Sequence, residues 1–375
     1  MKRLAACLLA LVLLLSGCTE GSYVSVKPHQ GENTSGNAQA VAVGNYEEML
    51  AALKEMVAGA VEQQVLSVAD MDENAVTATL DQAIRTACRT DPMGAYAVEE
   101  ITYERGQSGN LPAVAVSIRY NRTRREILQM PTAADMDQAA SRIQVALNGC
   151  NSSVVMLVEQ YEATDFVQLI EDYAASYPEW VIEIPTVAEA TYPEAGDRRI
   201  LELKFSYQTS RESLRTMQSR VQSVFDSARL YVQGDSSDHE KYNQLFSFLT
   251  QRFDYKAETS ITAPYSLLCH GVGDSRAFAT CYAAMCARAG LSALVVSGTR
   301  NGEPWFWNIV EDDGDYYHVD PAASLLGGDF RELRDEEMEG YVWDYSEYPA
   351  CVGHEAPPEP AAETETTAPV GENEK

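Results

Sequence analysis

The fold is decided by residues 268–279, which read Leu-Cys-His-Gly-Val-Gly-Asp-Ser-Arg-Ala-Phe-Ala. Glycines and an aspartate precede Ser275, and small and apolar residues follow it, so the pattern predicts a helix that begins here and ends near Ala289-Gly290. A side chain at the first residue of a helix lies in the positive end of the helix dipole, which favours an anionic nucleophile. Ser275 is therefore the first candidate for a chemical role.

The residues after this helix predict an antiparallel sheet. Leu294–Gly298 has the β-branched content of a strand, and Trp307–Val310 predicts a second strand. Asp312-Asp313-Gly314-Asp315 is typical of a hairpin turn, and Tyr316–Asp320 would be the return strand, closed by Pro321.

These motifs, in this order, resemble the transglutaminase-like family, whose fold is that of the papain-like cysteine hydrolases. The family pattern Gly-x-Cys-x-x-Tyr-Ala corresponds to residues 273–279, and the family pattern His-Ala-Trp-Asn corresponds to residues 305–308. The resemblance covers about residues 241–352 and implies an α+β domain, assigned to 234–352, in which a helix packs on an antiparallel sheet. It implies that the catalytic cysteine, histidine and acid positions are Ser275, Trp305 and Asp320.

Two of those three positions have residues unsuited to the family's reaction. A serine hydroxyl at a helix start still needs a base within hydrogen-bond reach, and an indole accepts no proton. Asp320 would accept a hydrogen bond from the Trp305 indole or would cap the turn before Pro321. His318 remains open as a substitute base for Ser275 if the strands are shifted.

Three functions follow from this reading, and the first is preferred. The domain would be a non-catalytic module that binds a peptide, a protein or a cell-wall ligand. Four aromatic residues would line its former substrate groove or would fill the space left by the lost histidine: Trp305, Phe306, Trp307 and Tyr317. The alternatives are a hydrolase or acyl transferase of peptide or amide bonds that uses Ser275, and a structural spacer.

The first half of the folded region, 45–233, contains an internal repeat. Val98–Tyr103 recurs as Val187–Tyr192, and the copies span about 46–120 and 135–207. Each copy reads helix, strand, helix, strand, strand. A partial third copy is predicted from about residue 213, with a strand at 229–232, and it would join the repeats to the second half through a packed boundary. Arg124 and Arg211, at equivalent positions, would bind an anion or lie in solvent.

The ends of the sequence predict a bacterial lipoprotein. Residues 1–18 have a basic start, an apolar run and the lipobox-like Leu15-Ser16-Gly17-Cys18. Lipidation of Cys18 would tether the protein to the membrane outside the cytoplasm, in the bacterial cell envelope. Residues 19–44 predict a flexible linker, and 353–375 predict a disordered acidic tail.

Composition excludes some partners. The formal net charge of -28 disfavours nucleic acid. The spacing of Cys269, His270, Cys281 and Cys286 matches none of the usual zinc-ligand pairs, so no metal is predicted, and no cofactor motif is present. Buried free thiols are the simpler interpretation of these cysteines.

Overall fold

The structure is a computed structural model that describes residues 40–257, 262–326 and 330–352. The predicted signal segment with Cys18, nearly all of the predicted linker and all of the predicted acidic tail lie outside the described residues. The end of the predicted linker is an exception. Val41–Ala42 forms a strand that pairs with Leu66 and Ser67, so described structure begins inside the segment predicted to be flexible.

Both repeats contain the predicted order of elements, with one short strand added in front of each and one short helix, Pro92–Ala97, added in the first. The first comprises β1 Val41–Ala42, α1 Tyr46–Ala58, β2 Gln63–Ser67, α2 Val76–Arg89, α3 Pro92–Ala97, β3 Val98–Ser108 and β4 Leu111–Tyr120. After α4 Arg124–Leu128, the second comprises β5 Thr132–Ala133, α5 Met136–Asn148, β6 Ser153–Val158, α6 Phe166–Ser176, β7 Thr186–Tyr192 and β8 Arg199–Ser206. The sheets have the equivalent orders β1-β2-β4-β3 and β5-β6-β8-β7. The predicted repeat of helices and strands is therefore confirmed.

The arginines that recur in the repeats are exposed first residues of helices, as the second expectation described, and they also have a structural role. Arg124 donates through Nη1 to the backbone carbonyl of Ala60 at 3.0 Å, just beyond α1. Arg211 donates through Nε to the carbonyl of Gly149 at 3.0 Å, just beyond α5. A guanidinium near the end of a helix satisfies free carbonyls and opposes the negative end of the dipole. Each arginine thus fixes the end of the first helix of its repeat.

The predicted third copy is wrong in its strand. Residues 229–231 are the last turn of a single long helix, α7 Arg211–Tyr231. Its buried residues recur every three to four positions through Ala228, whereas Leu230 is 81 % exposed. The helical period keeps one face of α7 against the rest of the protein as far as Ala228, and the backbone continues as helix through Tyr231.

The second half has the predicted helix-on-sheet architecture. Its elements are α8 Asp238–Thr250, β9 Asp254–Tyr255, α9 Ala263–His270, β10 Val272–Gly273, α10 Ser275–Arg288, β11 Ala293–Arg300, β12 Glu303–Asp312, β13 Asp315–Val319, α11 Pro321–Ser324 and β14 Tyr341–Trp343. The antiparallel sheet has the order β13-β12-β11-β14, and α10 packs against β11 and β12. The predicted α+β fold class is confirmed.

A packed boundary joins the repeats to this second half. One continuous core cluster contains Leu214 and Phe225 of α7 together with Phe278 and Tyr282 of α10. The side chain of Glu179, which is 3 % exposed, pairs with Arg288 at 2.8 Å across the boundary. None of the helices within the described ranges combines the length and the apolar character required to cross a bilayer.

Equivalent tyrosines in the two repeats differ in the hydrogen bonding of their hydroxyl groups, and this difference can be measured as stability. The hydroxyl of Tyr120 lies 3.1 Å from the carbonyl of Met56 and 3.0 Å from that of Val61, whereas the buried hydroxyl of Tyr207 has no partner among the described residues. We expect Tyr120→Phe to lower the free energy of unfolding by about 1 kcal/mol or more, and Tyr207→Phe to change it by less than about 0.5 kcal/mol. Urea titration of both variants measures the free energy of unfolding. Equal losses in the two variants would contradict a stabilising hydrogen bond from the Tyr120 hydroxyl.

Candidate functional site

Ser275 is positioned by the turn that begins α10. Gly271 has a φ of +82° at the end of α9, a conformation that favours glycine. A Cβ on Gly273 would lie 2.9 Å from the Cβ of Leu267, so this position is also restricted to glycine. The Asp274 carboxylate then accepts a hydrogen bond from the amide of Ala277 at 2.8 Å and caps the helix. Ser275 is the first helical residue, as predicted, and is 5 % exposed.

The hydroxyl of Ser275 contacts the strand that carries Trp305. The backbone N–H of Phe306 donates to Ser275 Oγ at 3.2 Å. The structure therefore brings the predicted nucleophile position next to the residue that follows the predicted histidine position. This is the relationship between helix and strand that the sequence motifs implied.

Trp305 and Asp320 form a direct hydrogen bond. The Trp305 indole N–H donates to Asp320 Oδ2 at 2.7 Å, and the Tyr341 hydroxyl donates to the same oxygen at 2.8 Å. The other oxygen, Oδ1, accepts from the amide of Ala323 at 2.8 Å and caps α11. Asp320 therefore both accepts a hydrogen bond from the Trp305 indole and caps the turn at Pro321, because each function uses a different carboxylate oxygen.

Burial dominates the electrostatics of this carboxylate. Removal from water raises the pKa of Asp320 above its ordinary value, although the hydrogen bonds from Ala323, Trp305 and Tyr341 and the nearby charge of Arg300 oppose the rise. The Arg300 guanidinium lies over the Trp305 ring, 5.2 Å from its centre. Trp305 itself is 7 % exposed, and the Tyr255 ring lies 5.4 Å away between centres. The position predicted for a catalytic histidine is thus part of a buried aromatic cluster.

His318 is committed to other partners and is not a base for Ser275. Its Nδ1 accepts a hydrogen bond from the Trp307 indole N–H at 2.9 Å, which requires that Nδ1 carry no proton. The neutral ring then has its proton on Nε2, which donates to Asp335 Oδ1 at 2.8 Å. His318 is 1 % exposed, and this burial lowers its pKa. The hydrogen bond between His318 and Trp307 joins β13 to β12.

The cysteine within α10 is equally unsuited to nucleophilic chemistry. Cys281 is fully buried, and desolvation raises the pKa of its thiol well above the ordinary value. Cys286 is also fully buried in the same helix, and both are free thiols. They contribute to the core beneath the sheet, as expected for buried free cysteines.

The four aromatic residues predicted to line one groove do not share a surface. Trp305 and Trp307 project from one face of β12, whereas Phe306 projects from the other by the alternation of the strand. Trp307 is fully buried, with the rings of Tyr341 and Trp343 packed edge-on against it. Tyr317 pairs with Val310, four residues along β12 from Phe306. The two tryptophans are therefore buried in the core of the second half and do not line an open groove.

A cleft that the sequence did not reveal lies beside the start of α10. Its volume is about 230 Å³. It is lined by Glu171, Ala174, Ala175, Val181, Ile184, Thr262, Pro264, Arg276 and Thr280. One wall comes from the second repeat and the other from the region around α10, so the cleft exists only because these parts dock. Arg276, exposed and next to Ser275, also lies 5.3 Å from the centre of the Phe306 ring.

The helix that begins at Ser275 packs on the antiparallel sheet, as the resemblance to the transglutaminase-like family implied. Residues 226–321 match the family model of the transglutaminase-like superfamily, so this part of the chain is a transglutaminase-like domain. No protein of curated function matches the sequence significantly.

Three solved structures have low similarity to this chain. A structure titled "Crystal structure of a TGase" has 12 % identity and a TM-score of 0.28 over 66 % of this chain and 69 % of that one. A "putative cysteine protease" from Cytophaga hutchinsonii has 11 % identity and a TM-score of 0.25, covering 51 % and 68 %. A "putative protease" from Parabacteroides distasonis has 9 % identity and a TM-score of 0.22, covering 72 % and 45 %.

The raised pKa of Asp320 predicts a pH dependence of stability. The folded protein holds this proton more tightly than the unfolded chain does, so unfolding releases it at pH values between the two pKa values. Stability should therefore fall as the pH rises from the ordinary aspartate range through the raised pKa, and Asp320→Asn should remove that part of the slope. Urea titrations at a series of pH values measure how the free energy of unfolding depends on pH, and Asp70→Asn, at an exposed position, is the control. A slope that Asp320→Asn leaves unchanged would be evidence against a buried proton here.

Proposed function

We propose that the transglutaminase-like domain is a non-catalytic module that binds a peptide-like ligand of the cell envelope. The observation that carries this proposal is the 2.7 Å hydrogen bond from the Trp305 indole to Asp320. In a catalytic triad, the acid orients an imidazole whose second nitrogen takes the proton from the nucleophile. An indole retains the N–H that the acid binds but has no second nitrogen. Ser275 would therefore lack a general base at this position.

The energetic consequence of a missing base is large. Removal of members of a catalytic triad lowers turnover by about 10⁴- to 10⁶-fold. The positive end of the α10 dipole offsets little of that loss, since it contributes on the order of 1 kcal/mol and a serine hydroxyl is a much weaker acid than a thiol. His318 does not supply the base, because both of its ring nitrogens have partners. A binding role is consistent with a domain that retains the helix and the sheet.

The cleft beside α10 is the proposed ligand surface. It combines an apolar wall from Val181 and Ile184 with the exposed guanidinium of Arg276. Its volume of about 230 Å³ is suited to one or two side chains of an extended peptide rather than to a large cofactor. Arg276 would bind a carboxylate of the ligand, which both peptides and peptide-bearing cell-wall fragments provide.

The location of this function is also a proposal. The apolar run that ends at Leu15-Ser16-Gly17-Cys18 supports lipidation of Cys18 and attachment to the membrane of a bacterial envelope. The two repeats would then hold the binding domain away from the bilayer.

The contact between the repeats favours the spacer function as a second candidate. Arg122 of the first repeat pairs with the buried Glu202 of the second at 2.9 Å. The rings of Tyr96 and Tyr192 pack edge-on at 5.4 Å between centres across the same contact. This contact would make the repeats a stiff arm, whether or not the domain at its end binds a ligand.

A covalent probe tests whether Ser275 is reactive. We expect a serine-directed phosphonate to leave the protein unlabelled, because no base activates the hydroxyl. The double variant Ser275→Cys with Trp305→His should alkylate with iodoacetamide at pH 7 at least tenfold faster than Ser275→Cys alone, because Asp320 would orient the new imidazole. Mass spectrometry of the peptide that contains residue 275 gives both readouts. Labelling of wild-type Ser275 would instead support the hydrolase alternative.

A retention experiment tests the binding role. The protein should bind saturably to cell-wall fragments or to an immobilised peptide library, and Arg276→Ala should weaken retention at least fivefold by removing the carboxylate-binding group. Arg119→Ala is the matched control, since this exposed arginine lies on the first repeat. Retention that is absent in both the wild type and the variant would favour the spacer function, and retention that is unchanged in Arg276→Ala would contradict the cleft as the binding surface.

A further inference from the structure

Three acidic or basic side chains from distant parts of the sequence meet at the far end of β12. His239 lies in the first turn of α8, Asp312 is the last residue of β12, and Glu332 lies in the segment after α11. His239 Nδ1 lies 3.0 Å from Glu332 Oε2 and 3.6 Å from Asp312 Oδ2. One potential ligand atom from each residue falls within 4.8 Å of the other two.

The charges of this cluster are not balanced by the residues that form it. Two carboxylates, each with a side chain only 15 % exposed, face a single imidazole that carries at most one positive charge. Asp313 and Asp238, the sequence neighbours of Asp312 and His239, add negative charge around Asp312. An additional cation would relieve this repulsion.

A second observation points to a ligand in the same place. Glu332 Oε1 is buried and has no hydrogen-bond partner among the described residues. A buried carboxylate oxygen without a partner costs about 1–3 kcal/mol or more, so a native structure normally gives it one. Glu332 Oε2, the other oxygen of this carboxylate, lies 3.0 Å from His239 Nδ1, so the carboxylate with the unpartnered oxygen belongs to the cluster.

We propose that His239, Asp312 and Glu332 bind a divalent cation of the Zn²⁺ or Mn²⁺ type. Nitrogen and oxygen ligands lie at about 2.0–2.2 Å from Zn²⁺, so neighbouring ligand atoms around such an ion are about 3.0–3.5 Å apart. The observed separation of 3.0 Å lies within this range, and that of 3.6 Å is close to it. One imidazole with two carboxylates suits these metals better than Ca²⁺, which takes six to eight oxygen ligands.

The surroundings orient the imidazole and leave the site accessible. The Phe330 ring packs edge-on against the His239 ring, 5.8 Å between centres, and also against Phe246 of α8 at 5.1 Å. The His239 side chain is 52 % exposed, so an ion and its remaining water ligands have a path from solvent. This arrangement resembles the support that ligating histidines receive from neighbouring side chains in metal sites.

The site is separate from the Trp305–Asp320 cluster and acts on stability rather than on chemistry. Six residues of β12 separate Phe306 from Asp312, which is about 20 Å of extended strand. An ion held at the far end would tie α8 and the segment around Glu332 to the β12–β13 hairpin. No metal was predicted from the sequence because only the cysteine-rich stretch 269–286 was considered, and ligands spaced 73 and 20 residues apart leave no local motif.

The test is metal binding by the purified full chain after treatment with EDTA. Isothermal titration with Zn²⁺, Mn²⁺ and Ca²⁺ should show one saturable site for Zn²⁺ or Mn²⁺, and that ion should raise the melting temperature. Asp312→Asn and Glu332→Gln should each weaken affinity at least tenfold. Glu303→Gln, which removes an exposed carboxylate at the opposite end of the same strand, is the matched control and should bind as wild type.

Measurements without metal distinguish a cation site from an ordinary structural cluster. In EDTA, Asp312→Asn should be as stable as wild type or more stable, because it removes one of two neighbouring negative charges, and only the metal-dependent rise should be lost. A wild-type protein that binds none of the three ions saturably would overturn the proposal. Binding that survives both Asp312→Asn and Glu332→Gln would overturn it as well.

Discussion

The hydrogen bond between the Trp305 indole and the Asp320 carboxylate is the interaction on which the centre of the second half depends. Asp320 connects three elements, because it accepts from a side chain of β12, from the hydroxyl of Tyr341 in β14 and from the first turn of α11. A carboxylate that is nearly removed from water must be satisfied in this way. The same three hydrogen bonds that stabilise the buried charge therefore fix the sheet, the helix after it and the edge strand relative to one another.

The docking of the repeats depends on a second constraint, which is the length of α7. Because the helix continues for 21 residues without a break, its buried face reaches from the end of the second repeat into the core around α10. The Glu179–Arg288 pair and the Gln218 amide, which donates to the carbonyls of Asn148 and Trp180, reinforce this boundary. The cleft beside Arg276 follows from that contact, so the proposed binding surface is a product of both halves.

Local patterns predicted most of the fold, and contacts between distant residues explain the remainder. The start of α10 depends on the glycines just before Ser275, and the β12–β13 hairpin depends on the Asp-Gly turn just before Asp315. Both elements could therefore be predicted from neighbouring residues in the sequence. The strand at 229–232 was predicted wrongly because aromatic and β-branched residues favour a strand, whereas the helix whose buried face ends at Ala228 continues through Tyr231. Likewise, nothing local shows that Trp307 is covered by β14, or that His239 lies beside Glu332.

The exchange of an imidazole for an indole shows how a fold and its chemistry can separate. The structural requirement at residue 305 is an N–H directed at Asp320 and a ring that fills the space beside Tyr255 and Arg300. Histidine and tryptophan both provide an N–H donor, and tryptophan fills more volume. The chemical requirement is a second nitrogen with a lone pair, which the indole lacks. A tryptophan here therefore satisfies the buried acid without supplying a proton acceptor, and the proposal of a binding function rests on this difference.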